Sequence, residues 1–308
     1  MVTLRTLFLG TSTFAVPSLR VAAQRSQVVA VVTQPDRPSG RGQKLAPSPV
    51  KVAALELGLR VYEPESLATF ARELTAESFD VAALASYGKI LPQGLLDLPK
   101  LGALNVHPSL LPRYRGATPI QTALRNGEPA TGVSIMLMDA GMDTGDIVLQ
   151  ERVQIAPDDD YATLHDRLAL VGSRLLGEAL ELASAGPLRH APQTGESSVT
   201  RPIRKADLET AWSWTAKQIV DQVRAYAPQP CARAMLLDVP VKIARACVVT
   251  DVVSAQPPGT VIGVRDDVAL VQAGSGVVGV IEVVAPNRGP RSGAAFVRSA
   301  SGGGRFAR

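Results

Sequence analysis

Residues 103–112 read Ala-Leu-Asn-Val-His-Pro-Ser-Leu-Leu-Pro, a short apolar run that closes on Asn105 and His107 just before Pro108. A proline pushes the residue before it out of the helical region, so His107 leaves this run in an extended conformation. Residues 103–106 therefore read as a strand, and comparable runs occur at 4–9, 28–33, 81–85 and 133–138. Between them lie stretches with helix-start chemistry at 17–24, 49–57 and 119–126. In the second of these Ser48 is a fitting N-cap, Pro49 suits the first helical position, and the helix ends before Gly58. Strands alternating with helices predict an α/β fold on a doubly wound parallel sheet. Ligands of such sheets bind outside the carboxyl ends of the strands, which is where the 105–112 stretch falls.

Asn105 and His107 stand two apart on that strand, so both side chains face the same way. A fixed amide N–H can stabilise the negative charge that builds on a carbonyl oxygen under attack, by about 3 kcal/mol in comparable sites. An imidazole of ordinary pKa near 6.5 can carry the proton lost by the attacking group. Asp143, in the run Asp139-Ala140-Gly141-Met142-Asp143-Thr144-Gly145, could orient that ring and hold its charge. The set suits acyl transfer. Each piece alone also has a plainer reading: an Asn and a His on one strand can be a structural pair, and Asp and Gly are turn formers.

At 308 residues the chain is long enough for two domains. Its 46% apolar and 19% charged content is that of a globular protein, and no stretch approaches the roughly 18 to 20 apolar residues of a membrane span. The strand at 4–9 leaves no room before it for a signal segment, which points to the cytoplasm. Two cysteines, Cys231 and Cys247, are too few for a disulfide framework, and with only three histidines no metal site is expected. Charge is uneven: residues 1–200 hold 18 Lys plus Arg against 20 Asp plus Glu, a balance of −2, whereas 201–308 hold 14 against 8, a balance of +6. A basic module beside a near-neutral one suits a polyanionic substrate, although a basic chain by itself is common.

Leu164, Leu168, Val171, Leu175, Leu176, Ala179 and Leu182 recur at helical spacing and predict one long helix over 160–185 with an apolar face, His165 included as structure. Residues 187–206, rich in Pro, Ser, Thr and Gly, read as a linker. The expected domains are thus 1–186 and 207–308. In the second, a helix at 215–224 precedes strands at 234–237, 241–244, 259–264, 268–272 and 277–284, which predicts a small β-barrel. Few aromatic residues occur there, so contact with a nucleic acid would be electrostatic rather than by base stacking. Residues 299–308, rich in Gly and Ser, are expected to be mobile.

The stretch 105–112 with Arg113-Tyr114-Arg115-Gly116 after it, together with 139–145, resembles the folate-dependent formyltransferases. Gly10-Thr11, Phe14-Ala15-Val16-Pro17, the run Thr33-Gln34-Pro35-Asp36-Arg37-Pro38-Ser39-Gly40-Arg41-Gly42, and Pro47-Ser48-Pro49-Val50-Lys51 extend the likeness almost end to end, toward the branch that acts on tRNA. The resemblance implies 10-formyltetrahydrofolate as formyl donor and co-substrate, with no metal. It implies the α-amine of initiator methionyl-tRNA as acceptor, and an OB-like second domain. It gives Asn105 the formyl oxygen, His107 the proton and Asp143 the support of His107. Folate contacts fall on Ser109, Leu110, Leu111 and Pro112 and on Tyr87, Gly88, Lys89, Ile90 and Leu91, where core packing is the competing reading of Ile90 and Leu91. It assigns tRNA contacts to Arg37, Arg41 and Lys44 in the 35–47 loop, which is too rich in Gly and Pro to form a rigid element by itself. Nothing requires more than a monomer or any membrane partner. A transferase for a small amine such as a sugar nucleotide shares the first domain and is the nearest alternative, while a folate or RNA binder without catalysis would need none of Asn105, His107 and Asp143. The chain departs from the pattern at Ser12, Thr118 and Ala211, none of which touches that trio.

Overall fold

The apolar runs fold as expected into adjacent strands of one sheet in a computed structural model, which describes residues 4–39, 44–74 and 79–300 and, at Ser39, Lys44 and Glu73, the backbone alone. In chain order come β1 (Arg5–Gly10), α1 (Ala15–Arg25), β2 (Gln27–Val32), β3 (Arg37–Ser39), β4 (Lys44–Ala46), α2 (Pro49–Glu56), β5 (Val61–Tyr62), α3 (Leu67–Glu73), β6 (Val81–Ala85), α4 (Gln93–Leu96), β7 (Ala103–His107) and β8 (Arg115–Gly116). They are followed by α5 (Pro119–Arg125), β9 (Ala130–Leu137), β10 (Ile147–Gln154), α6 (Tyr161–Ala185) and β11 (Val199–Thr200). The Ser48 hydroxyl accepts from the Lys51 backbone N–H at 3.0 Å and caps α2.

Seven strands form the main sheet in the order β10-β9-β7-β6-β1-β2-β5. The β1–β2, β1–β6, β2–β5 and β6–β7 pairs are parallel. Leu7, Phe8 and Leu9 of β1 are all fully buried, as a central parallel strand covered on both faces requires. On its other side β7 pairs antiparallel with β9, so the parallel sheet acquires a differently directed margin. The edge strand β10 was not expected from the sequence: its second half, Gln150-Glu151-Arg152-Val153-Gln154, is polar because an edge needs little burial and is protected by charge. The 35–47 segment also differs from expectation. Its arms pair as a hairpin, Arg37 beside Ala46 and Pro38 beside Leu45, because each arm satisfies the other's backbone groups. Residues 40–43, and with them Arg41, lie outside the described residues.

Helix α6 has the predicted span, and Leu164, Leu168, Leu175, Leu176 and Ala179 are buried. Leu182 is not; it is 48% exposed, to one side of the buried stripe that continues through Leu180 and Ala183. Gly172 brings α6 down onto the sheet, since a Cβ there would lie 2.6 Å from Cγ1 of Val106 and 3.4 Å from Cγ1 of Val133. His165 stacks edge-on against Phe14 at 5.4 Å, in keeping with a structural role. The 187–206 stretch is tied down: Ala191 bridges to Ile147, and β11 pairs with β8.

By contacts the chain divides into two units, Met1–Gly116, Thr131–Gln154 and His165–Thr200 in one, and Ala117–Ala130, Ile155–Leu164 and Arg201–Arg308 in the other. The second unit holds α5, α7 (Ala216–Tyr226), β12 (Ala232–Leu236), β13 (Val239–Val249), β14 (Val261–Arg265), β15 (Val268–Gln272), β16 (Val277–Val284), β17 (Pro290–Ser292) and α8 (Gly293–Ala300). Thr215 and Gln218 form a capping box at the start of α7. The strands make an antiparallel sheet in the order β12-β13-β16-β15-β14, with β17 also on β16. Among the described residues no ladder carries β14 back to β12. Ser299 and Ala300, expected in a mobile tail, are helical, and residues 301–308 lie outside the described residues.

Replacing Gly172 should disturb the strand that carries Asn105 and His107. We expect Gly172→Val to lower stability by about 1–3 kcal/mol through overpacking against Val106, read as a lower thermal midpoint of the purified protein; an unchanged midpoint would show that the contact can relax freely.

Candidate active site

The carboxyl ends of β1, β6 and β7 lie side by side, with Gly10 level with Ala85 and Ala85 level with Val106. A cleft of about 580 Å³ opens beyond the first two, lined among others by Thr11, Gln34, Arg37, Ser86, Tyr87 and Gly88. The Tyr87 carbonyl anchors it, accepting from Thr11 Oγ1 at 2.9 Å and Gln34 Nε2 at 2.6 Å. Ser12, one of the departures noted above, donates to Ser86 Oγ at 2.7 Å.

His107 is buried at the end of β7. Its Nε2 lies 3.0 Å from the carbonyl oxygen of Tyr114, which can only accept, so Nε2 carries the hydrogen. A neutral ring then has its free lone pair on Nδ1, and that atom lies 3.6 Å from Oδ2 of Asp143. This separation is ion-pair distance, too long for a hydrogen bond. Burial pushes the His107 pKa below the ordinary 6.5, while the charge of Asp143 and the Tyr114 carbonyl pull more weakly upward. The ring is therefore neutral at pH 7, with its free lone pair on the nitrogen that lies 3.6 Å from a carboxylate able to stabilise the ring's charge once protonated.

Asp143 is held in turn. Its Oδ2 accepts the backbone N–H of Gly116 at 2.7 Å. Its own backbone is left-handed at φ +54°. The turn around it is built by Asp139, whose Oδ1 accepts from the Gly141 N–H at 3.0 Å and from Thr144 Oγ1 at 2.7 Å. Gly145 is required where the chain passes the end of β9, because any Cβ would fall 1.7 Å from the Leu137 carbonyl oxygen. Both readings of 139–145 hold at once: Asp139 makes a turn, and the turn presents Asp143. Asn105, on the same face of β7 as His107, is half-buried, and its amide has no hydrogen-bond partner among the described residues.

The 109–112 loop hangs on one hydroxyl. Ser134 Oγ, on β9, donates to the Ser109 carbonyl at 2.7 Å and accepts from the Leu111 N–H at 3.2 Å and Gln150 Nε2 at 2.8 Å. That is the full capacity of a hydroxyl. Gln150 also donates to the Leu111 carbonyl at 3.1 Å. Ser109 is buried and donates to the Arg113 carbonyl; Leu111 and Pro112 are buried and Leu110 half-buried.

Along 87–91, Tyr87 and Leu91 belong to the hydrophobic core, whereas Ile90 is 91% exposed. The Tyr87 hydroxyl is buried without a hydrogen-bond partner among the described residues, and burial raises its pKa to about 12. Gly88 has φ +80°, and Lys89 Nζ lies 3.4 Å from the carbonyls of Pro64 and Glu65. Arg37 sits exposed at the cleft and its guanidinium donates to Gln34 Oε1. For Lys44 only the backbone, in β4, is described.

Several supports were not expected: the Tyr114 carbonyl, the Gly116 N–H, Ser134, Gln150, and two residues of the presumed linker, Gln193 and Ser198. The first two are backbone groups with no residue identity to read. Gln150 is exposed among the other polar residues of β10 and gave no signal of its own.

Residues 4–180 match the family described as "Formyl transferase" and residues 202–301 its C-terminal domain. The chain is 44% identical over 283 residues to a methionyl-tRNA formyltransferase of Pelotomaculum thermopropionicum, covering 91% of this chain and 90% of that one. It is 43% identical over 279 residues to the protein of the same name from Stenotrophomonas maltophilia, covering 89% and 91%. In fold it is similar to an N-formyltransferase from Helicobacter canadensis solved with folinic acid and dTDP-3-aminofucose, with a TM-score of 0.69, 19% identity, and 90% and 98% of the two chains covered. It is also similar in fold to HypX from Aquifex aeolicus solved with tetrahydrofolic acid, with a TM-score of 0.64, 17% identity, and 97% and 47% covered.

Ser134→Ala removes one donor and two acceptor contacts at a buried point. The expected cost is about 1–3 kcal/mol, because the Ser109 carbonyl and the Leu111 N–H lose a partner; denaturant unfolding checks it, and a cost near zero would mean that Gln150 takes over both.

Proposed function

The chain belongs to the formyl transferase family, and on that premise we propose that it transfers the formyl group of 10-formyltetrahydrofolate to the α-amine of methionine on initiator tRNA, as a cytoplasmic monomer supporting translation initiation. The observation that carries this reading is the Asn105 amide, without a hydrogen-bond partner among the described residues, on the same face of β7 as a neutral imidazole backed by a carboxylate. The names of the 40–44% identical relatives support the acceptor, and the folate compounds with which two structural neighbours were solved support the donor.

The residues fit such a donor. The half-buried Leu110 and the exposed Ile90 offer apolar side chains, and the Asn105 amide has no hydrogen-bond partner among the described residues. Bound there, the donor supplies a formyl carbon open to attack by an amine. An amine of ordinary pKa near 8 is partly neutral at pH 7 and needs little activation. The Asn105 N–H stabilises the charge that develops on the formyl oxygen. His107 accepts the proton of the attacking nitrogen at Nδ1 and returns it to the departing nitrogen. Asp143 holds the imidazolium while it lasts, and the Tyr114 carbonyl keeps the ring from turning. Arg37, Arg41 and Lys44 meet the phosphates of the acceptor end, and the +6 balance of residues 201–308 adds to their attraction.

Loss of either the amide or the imidazole should be costly: Asn105→Ala and His107→Ala are expected to lower turnover of charged initiator tRNA about 10² to 10⁴-fold with the fold intact. The role assignment fails if either variant formylates at the parental rate, and preference for small amines over charged tRNA would redirect the acceptor. The pH dependence follows from the His107 environment. With kcat/KM corrected for the neutral fraction of the acceptor amine, activity should fall as pH drops through a value below 6.5, and Asp143→Asn, by removing the charge that pulls this value up, should move the acid limb lower still. An upward move would contradict the pairing. Finally, Arg41→Ala should raise KM for tRNA, and added salt should weaken tRNA binding; binding indifferent to salt would remove the electrostatic account.

A further inference from the structure

The segment that resembles a linker reaches into the site. Gln193 stands in the run Pro192-Gln193-Thr194-Gly195, and its amide is fully used. Nε2 donates to the carbonyl of Asp143 at 2.9 Å and to that of Gly145 at 2.8 Å. Oε1 accepts from Nε of Arg115 at 3.1 Å and from its terminal guanidinium nitrogen at 2.6 Å. An amide group has two N–H donors and two acceptor lone pairs, so no capacity is left over.

These four bonds close a ring with the catalytic pair. Arg115 lies between Tyr114, whose carbonyl fixes His107, and Gly116, whose N–H fixes the Asp143 carboxylate. Gln193 joins the Arg115 side chain to the Asp143 backbone, so the two loops on either side of the 3.6 Å gap share one amide. Asp143 needs such a hold, since its φ of +54° is a conformation that side chains other than glycine adopt at a cost. The same segment grips the other loop through Ser198, which accepts from the Tyr114 N–H through its hydroxyl at 2.8 Å and from the Arg115 N–H through its carbonyl at 2.9 Å.

We propose that Gln193 is a positioning residue for formyl transfer, acting through Asp143 to set the carboxylate against His107. The inference rests on the reading of His107 and Asp143 given above. Gln193 touches no reacting atom. It determines where the carboxylate stands, and Gln is suited because a single side-chain nitrogen must reach two carbonyls while its oxygen meets a guanidinium. Glutamate keeps the contact to Arg115 but faces both carbonyls with oxygen, and alanine keeps nothing.

The experiment compares Gln193→Ala, Gln193→Glu, Asp143→Asn and the double variant Gln193→Ala with Asp143→Asn, measuring kcat and KM for charged initiator tRNA across pH together with thermal midpoints. Both Gln193 variants are expected to lower kcat about 10 to 100-fold, the loss typical of a displaced catalytic group, with KM for tRNA little changed. Their acid limbs should move to lower pH, as in Asp143→Asn, and the double variant should be no slower than Asp143→Asn alone. If Asp143→Asn lowers the rate and moves the acid limb while the Gln193 variants keep the parental profile, or if the two losses multiply in the double variant, Gln193 is a loop staple and the proposal is overturned. If Asp143→Asn itself is without effect, it is the reading of the His107 and Asp143 pair that fails.

Discussion

The hydrogen bond from Nε2 of His107 to the Tyr114 carbonyl is the contact on which the site depends. It assigns the ring hydrogen to one nitrogen and leaves the other free, and it does so with a group that cannot change protonation state. The remaining structure serves to keep that carbonyl and the Asp143 carboxylate on opposite flanks of one imidazole. Strand β7 supplies the ring, the 109–116 loop supplies the carbonyl and the Gly116 N–H, and the 139–145 turn supplies the carboxylate. Burial of the ring depresses its pKa, so the neutral form on which proton acceptance relies follows from packing, against the upward pull of the Asp143 charge.

Two kinds of polar contact hold this arrangement, and they differ in their dependence on water. Ser134 and Gln150 work beneath the 109–112 loop, where a missing partner leaves a buried backbone group unsatisfied. The surface ion pairs, such as Arg20 with Glu56, are well exposed on both sides and contribute little. The first set therefore controls the geometry of the site, although none of its members carries a charge.

Much of the first unit could be read from residue order because its signals are local. The five apolar runs became strands, Ser48 and Pro49 began a helix, and Asn105 with His107 shared a face because a strand has a period of two. Asp143 was legible as a partner through the likeness of 139–145 to known formyltransferases rather than through any spacing. What escaped reading has physical reasons. Tyr114 and Gly116 act through backbone atoms that every residue possesses. Gln193 lies 50 positions from Asp143 in a stretch whose Pro, Ser, Thr and Gly content is that of a free connector, yet the same composition also suits a strap that must turn and offer short polar side chains. The hairpin β3 and β4 was hidden by Pro38 and its charged neighbours, and β10 by the polarity an edge strand tolerates.

The ladder of β11 on β8, Val199 beside Arg115 and Thr200 beside Gly116, bears on how this chain could be cut. Composition alone would invite a protein engineer to sever it near residue 190 and express the halves apart. The first half would then lack the strand that backs its own reaction centre, while the second would carry that strand as a useless leader. A split respecting the chemistry must fall beyond Thr200, so that the first fragment leaves with its strap attached.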